Sequence, residues 1–299
     1  MKFSKMHGTG NDYIYINCFE ETVESPEELA VRLSDRHFGI GADGLILIKP
    51  SDRADCFMDM YNADGSRGKM CGNGIRCVGK YIYEHGIAKK PTLAIDTLSG
   101  IKTLELKIED DKVVAATVEM GAPILDAPMI PTTIRESGFI IDMPIRLPGF
   151  YDADGSRYIG PDVSEMGCSP MELNITCVSM GNPHAVIVVD DPSTFPVRKI
   201  GSFLEKHPVF PEGVNVHFIS IQDESHITIR TWERGSGETL ACGTGNCASL
   251  VAATLLGKCS GEAEMTTLGG KLHIKWDRRS NMVYLTGGAA EVFSGEILL

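Results

Sequence analysis

Met70-Cys71-Gly72-Asn73-Gly74-Ile75-Arg76-Cys77 decides the reading of this chain, because Ala241-Cys242-Gly243-Thr244-Gly245-Asn246-Cys247 repeats its core further along. Each stretch carries Cys-Gly-x-Gly, and the two leading cysteines stand 171 residues apart. The same offset, without gaps, sets Gly10 on Gly181, Asn11 on Asn182, Gly72 on Gly243, Gly74 on Gly245 and Gly86 on Gly257. Chance would superpose only about one or two glycines over such an overlap, so the pattern indicates a diverged internal duplication. The fold class expected is α+β: two pseudo-symmetric domains, each a curved mixed or antiparallel sheet wrapped round a central helix, each contributing one thiol.

The surroundings of the two motifs support that reading. Ile75, Val78, Gly79 and Ile82 recur at i, i+3, i+4 and i+7, and Gly86 stands where a helix C-cap is expected, which puts Cys71 at a helix start. Ala248 to Leu256 is nearly apolar on every side, as only a helix enclosed by protein tolerates. Another helix is expected from Ser25-Pro26-Glu27-Glu28, a capping box with proline in the first turn, to about Arg36, and one near Pro196 to Lys206. Strands are expected at 3–7, 13–17, 45–48, 56–60, 92–96, 101–108 and 113–120. In the second half they are expected at 176–179, 185–189, 214–221, 227–232, 263–267, 272–276, 283–286 and 291–298. The corner His7 to Asp12 is no dinucleotide fingerprint, since Tyr13 replaces the third glycine and a strand follows. The first domain is expected to cover 1–121 with a returning strand at about 288–299, and the second 122–287. The second domain includes a connecting segment rich in proline and glycine at about 122–173. Within it, Tyr151 to Arg157 reads as a hairpin turn and not a calcium loop, because position twelve from Asp152 is Val163.

The 299 residues suffice for two cores, and a hydrophobic fraction of 43% fits an ordinary globular protein. A net charge of −12 argues against nucleic acid or an anionic membrane as the main partner. The opening Met1 to Phe19 is broken by Gly8, Thr9, Gly10, Asn11 and Asp12 where a signal peptide needs an apolar core, so a cytoplasmic protein is expected. Nine cysteines are an odd number spread through a long chain, and most are expected to be free and buried. The spacings within Cys71/Cys77 and Cys242/Cys247 are not zinc knuckles, so no metal is expected. No pyridoxal phosphate site is evident, and no cofactor is expected.

A helix start lowers a thiol's pKa through its unpaired amides and macrodipole, making a useful base. Amides of Gly72 and Asn73, and of Gly243 and Thr244, can also hold a carboxylate. Inversion at the α-carbon of an amino acid needs this pairing: one thiolate removes a proton from one face and one thiol returns a proton to the other.

Several stretches besides the two motifs carry a family resemblance. They are Lys5 to Tyr13, Asn62-Ala63-Asp64-Gly65-Ser66, Met180-Gly181-Asn182-Pro183-His184, Gly213-Val214-Asn215 and Glu233-Arg234-Gly235. With Met70 to Cys77 and Ala241 to Gly245 they give the chain a resemblance, over nearly its whole length, to the diaminopimelate epimerases, cofactor-independent enzymes that interconvert LL- and meso-diaminopimelate. The resemblance implies that Cys71 and Cys242 are the acid-base pair, in a cleft between the halves. It implies that Asn11, Asn62, Asn182, Asn215 and Arg234 grip the substrate, and that His184 and Glu233 tune or orient the catalytic groups. It also implies a homodimer. Two departures stand out: Gly44, where some family members place a polar side chain, and the length of the 122–173 segment. The rival readings are a racemase of another amino acid such as proline or histidine, and a thiol redox switch.

Overall fold

The computed structural model describes residues 1–146, 150–151, 158–159 and 172–298. The chain forms two compact units. The first comprises Met1–Met120, Gly269–His273 and Tyr284–Leu299, and the second Gly121–Leu268 and Ile274–Val283. The C-terminal region gives more to the first unit than the expected 288–299. Thr286, for example, shares a 2.8 Å hydroxyl hydrogen bond with Thr117.

In the first unit the strands pair in the order Ala290–Glu296, Lys2–Gly8, Asn11–Asn17, Gly44–Lys49, Cys56–Asn62, Thr92–Asp96, Lys102–Glu109 and Lys112–Gly121. The sheet is mixed: Asn11–Asn17 runs parallel to Gly44–Lys49, and Cys56–Asn62 parallel to Thr92–Asp96. Helix α1 (Pro26–Ser34) buries Ala30 and Leu33 against this sheet. Ser25 is its N-cap, yet the side chain makes no capping hydrogen bond, so the expected capping box does not form. The helix also stops short of Arg36, because the Asp35 carboxylate accepts from the amides of His37 and Phe38, both at 2.7 Å, and turns the chain. Helix α2 (Gly72–Glu84) packs against strands on several sides, and Gly86 takes φ +76 just beyond its C-cap.

In the second unit the strands Met143–Arg146, Glu172–Ser179, Pro183–Val188, Asn215–Asp223, His226–Glu233 and Glu262–Thr267 pair in that order. The pairings of Pro183–Val188 with Asn215–Asp223 and of His226–Glu233 with Glu262–Thr267 are parallel. Helix α3 (Val197–Glu205) sets Val197, Ile200 and Leu204 into a core with Phe210, Val214 and Phe218. Helix α4 (Gly243–Leu255) is buried from Gly243 to Ala253 apart from Thr244, as its all-round apolar sequence requires. Phe150–Tyr151 pairs antiparallel with Tyr158–Ile159 on either side of residues 152–157. Asp152 to Arg157, where a hairpin turn is expected from the sequence, and Cys168 lie outside the described residues. No helix among the described residues is long and apolar enough to cross a membrane.

The 171-residue offset runs through the structure. It relates α1 to α3 and α2 to α4 end for end. It also relates the parallel partners Tyr13 and Gly44 to His184 and Asn215, and the antiparallel partners Leu45 and Tyr61 to Val216 and Trp232. The opening hairpins break it. Gly8 pairs with Asn11 across two residues, whereas Ser179 pairs with Pro183 across three. Asn182 therefore lies in a turn where its counterpart Asn11 lies in a strand.

Two carboxylates make this fold sensitive to acid. Burial pushes the Asp12 carboxyl up, but hydrogen bonds and charge from Arg36 and from Lys5, 2.6 Å away, outweigh it and bring its pKa down from 3.8 to about 2. Asp59, fully buried between Lys49 at 2.6 Å and Arg67 at 2.7 Å, is lowered in the same sense. A depressed carboxylate pKa stabilises the native state above the unfolded value and loses that contribution as pH falls through the folded value. Urea midpoints are expected to drop as pH falls from about 4 toward 2, and Asp12→Asn should flatten that slope.

Candidate functional site

Cys71 is the N-cap of α2, in extended backbone conformation at φ −127 and ψ 119. Its sulfur accepts from the Gly74 amide at 3.3 Å, and its thiol donates to Asn11 Oδ1 at 3.2 Å. Asn11 is anchored in turn, Nδ2 donating to Asp43 at 2.7 Å, and Asp43 and Asp12 are both held by Arg36. The Asn73 side chain donates to Asn11 Oδ1 at 3.5 Å. Helical bonding begins at the Ile75 amide, which donates to Cys71 O, so the amides of Gly72 and Asn73 stand in the first turn, ahead of the helix's own i to i−4 ladder. Asn62, at the end of the strand Cys56–Asn62, donates to Ser66 Oγ at 2.9 Å across the Asp64-Gly65 turn.

Two residues with no role assigned from sequence complete this half. Arg76 is fully buried, and its guanidinium donates to Thr9 Oγ1 at 2.8 Å, Asn73 Oδ1 at 3.1 Å, Gly72 O at 3.2 Å and Gly288 O at 3.3 Å. It ties the glycine corner to the first turn of α2. Tyr13 shares hydrogen bonds with the Cys71 thiol and the Asn11 side chain, and burial pushes its hydroxyl well above the usual phenol range, keeping it protonated. Gly44 explains how the ring fits: a Cβ at that position would stand 2.2 Å from Tyr61 O and 2.9 Å from Tyr13 Cε1, so it admits no side chain of any kind. The offset of 171 that pairs Tyr13 with His184 was the available sequence signal. Tyr13→Phe is expected to lower kcat/KM by about 10- to 100-fold, the range for losing a hydrogen bond to a charged group. The pH dependence of Cys71 alkylation should move upward with it, and an unmoved profile would reject this role.

In the second unit Cys242 is the N-cap of α4, at φ −111 and ψ 114. Thr244 Oγ1 lies 3.6 Å from its sulfur and accepts from Asn182 Nδ2 at 3.4 Å. His184, fully buried, bonds Asn182 Oδ1 at 3.0 Å. Asn215 donates to Pro183 O at 2.9 Å and accepts the Arg234 amide at 3.1 Å, while Arg234 Nη1 donates to Glu212 O at 2.8 Å and leaves the rest of an exposed guanidinium available. Glu233 is hydrogen-bonded to the Cys242 thiol and accepts from Thr239 Oγ1 at 2.5 Å.

The expectation of a lowered thiol pKa is reversed at Cys242. Burial first, and then the Glu233 carboxylate, push it well above the usual thiol value, outweighing the donations from Thr244 and the Gly245 amide. Cys242 is therefore held as a neutral thiol donating to Glu233. Cys77, one turn into α2, is fully buried and pushed up to about 11, as befits packing. Cys247 is equally buried. The two Cys-Gly-x-Gly stretches thus build similar frames with different chemistry: a thiol beside a phenol and an amide in one unit, and a thiol beside a carboxylate and a hydroxyl in the other.

Comparison with known proteins follows the same division. A family model described as diaminopimelate epimerase matches residues 3–125 and 176–292. A diaminopimelate epimerase of Acetivibrio thermocellus is 49% identical over 99% of this chain and 98% of its own length. One from Methanococcus maripaludis strain C6 is 48% identical over 99% of each. The family model passes over 126–175, yet these relatives align across nearly their full length, so the long middle segment is not peculiar to this chain. Among solved structures, a probable proline racemase of Agrobacterium radiobacter K84 has a TM-score of 0.69 at 16% identity, covering 100% of this chain and 93% of that one. A PhzF family protein of Bacillus anthracis has a TM-score of 0.66 at 17% identity, covering 100% and 99%. At such identities these two likenesses speak for the fold alone.

Proposed function

The chain belongs to the diaminopimelate epimerase family, and on that premise, with LL-2,6-diaminopimelate converted to meso-diaminopimelate in lysine biosynthesis, we propose that the isomerase works through two thiols, Cys71 and Cys242. The observation that supports this reading most is the matched placement of both cysteines as N-caps of glycine-rich helices, each with an asparagine beside the first turn. In one direction Cys71, as thiolate, removes the α-proton while Cys242, as thiol, delivers one to the opposite face. In the other direction their roles exchange, as microscopic reversibility requires. Amides of Gly72, Asn73, Gly243 and Thr244 receive the α-carboxylate as charge builds on it, which offsets much of the cost of the carbanion. Arg234, with Asn11, Asn62, Asn182 and Asn215, holds the distal amino-acid end. The guanidinium fork matches its carboxylate, and the amides can accept from its ammonium. His184 and Glu233 orient and tune Cys242.

In this reading the protein acts as a cytoplasmic homodimer. The test of the reaction is incubation with LL-diaminopimelate in deuterated water without added cofactor. Deuterium is expected at one stereocentre, together with meso product. Exchange into proline or histidine, with none into LL-diaminopimelate, would favour the racemase reading instead.

A further inference from the structure

His217 stands outside every role given so far. It is fully buried on the strand Asn215–Asp223, where it pairs across the parallel ladder with Val186. Its Nε2 lies 2.8 Å from His184 Nδ1, and its Nδ1 lies 3.0 Å from Thr231 Oγ1, also buried. From His184 the contacts continue to Asn182 Oδ1 at 3.0 Å, from Asn182 Nδ2 to Thr244 Oγ1 at 3.4 Å, and from Thr244 to Cys242 Sγ at 3.6 Å. We infer that His217 is a positioning residue for Cys242, a link in a one-way hydrogen-bond chain that starts at the Thr231 hydroxyl and leaves Thr244 to donate its hydroxyl hydrogen to the sulfur.

The direction follows from which atoms can donate. Asn182 Oδ1 is an acceptor only, so His184 must carry its proton on Nε2. Both imidazoles are neutral, since burial holds His184 well below its usual value and His217 down at about 3. A neutral His184 protonated on Nε2 has a bare Nδ1, which must accept from His217 Nε2–H. His217 then has a bare Nδ1, satisfied by the Thr231 hydroxyl. At the other end Thr244 Oγ1 accepts from the Asn182 amide, leaving its own hydrogen for Cys242. Every donation points toward the thiol. The chain does not pass protons along, because entry at the Asn182 oxygen and exit from its nitrogen would leave the amide as its high-energy imidic-acid tautomer. Its work is to fix one tautomer and one rotamer at each step. The charged groups near it are Arg234, which adds to the downward shift at His184, and Glu233, which accepts the thiol proton of Cys242. The ring of His217 fits only because residue 245 is glycine: a Cβ there would lie 2.1 Å from His217 Cε1.

The inference rests on Cys242 exchanging a proton with substrate, and the test separates the two ideas. Nitrogen-15 NMR of the histidine-labelled wild-type protein reads the tautomers directly and needs no turnover. His184 protonated on Nε2 and His217 protonated on Nε2 are expected, and a proton on His184 Nδ1 would overturn the chain. His217→Phe, with folding checked by its melt, is expected to raise the midpoint pH for alkylation of Cys242 by iodoacetamide. It should lower kcat/KM about tenfold with KM nearly unchanged. His217→Gln, which again offers an N–H toward His184, should restore both measures most of the way. A folded His217→Phe with a wild-type alkylation profile overturns the chain. A shifted profile with unaltered turnover leaves the chain standing and overturns the role of Cys242 in the reaction.

Discussion

Cys71→Ala and Cys242→Ala are each expected to lower kcat by at least about a thousandfold, since a positioned general acid or base contributes roughly 10²- to 10⁴-fold and the two-thiol proposal gives each a proton transfer of its own. The fold should survive both. Cys71 is half-buried and caps its helix with one sulfur contact, while removal of Cys242 takes away a thiol that donates to Glu233. The double variant should be no slower than the worse single one, because the thiols act as a unit. Cys77→Ala is the control. It empties space in the core of the same helix and should cost stability, about 1 kcal/mol, with kcat intact. If either the Cys71 or the Cys242 variant retained more than about a tenth of wild-type turnover, the two-thiol reading would fail.

Gly245→Ala is expected to be the most damaging glycine-to-alanine change among the described residues of the second unit. The new Cβ would lie 2.1, 2.7 and 2.8 Å from three ring atoms of His217. The ring cannot yield, since it is fully buried and hydrogen-bonded on one side to His184 at 2.8 Å and on the other to Thr231 at 3.0 Å. Overpacking of this kind costs about 3 kcal/mol or more where neighbours are fixed, which lowers the melting temperature by on the order of 10 °C. Gly257→Ala is the comparison. There φ is +69 and nothing lies within 4 Å of a Cβ, so only backbone strain of about 1 kcal/mol applies. The pair Gly245→Ala and His217→Ala should recover much of the loss in a double-mutant cycle. Equal melts for the Gly245 and Gly257 variants would show that the ring can move aside.

Much of this structure is legible in the sequence because the duplication is written twice. The spacing that sets Cys71 on Cys242 also forecasts α2 and α4, and Gly86 marks the end of α2 by the backbone conformation it permits. Local signals fail where a neighbour overrules them. Ser25 stands in the right place to cap α1, but its side chain makes no capping hydrogen bond, and Asp35 ends the helix early by taking the amides of His37 and Phe38. The thiol of Cys242 shows the same limit. A helix start is visible in one dimension, whereas complete burial and the approach of Glu233 are not. Tyr13 and His217 escape for a related reason. Each meets on one side of its strand a ladder partner about thirty residues away, Gly44 for Tyr13 and Val186 for His217, and no local pattern announces that neighbour.

The unlike settings of the two sulfurs, phenol and amide for one, carboxylate and hydroxyl for the other, bear on how far such an enzyme can be biased. A catalyst leaves the equilibrium constant between its isomers untouched, so the ratio of forward to reverse kcat/KM belongs to the substrates alone. Changes at Tyr13 or Glu233 must therefore slow both directions by one common factor. What they are free to alter is which isomer saturates the protein first and which one lingers, so selection acting on either lobe reshapes flux under a given metabolite load and never the final mixture.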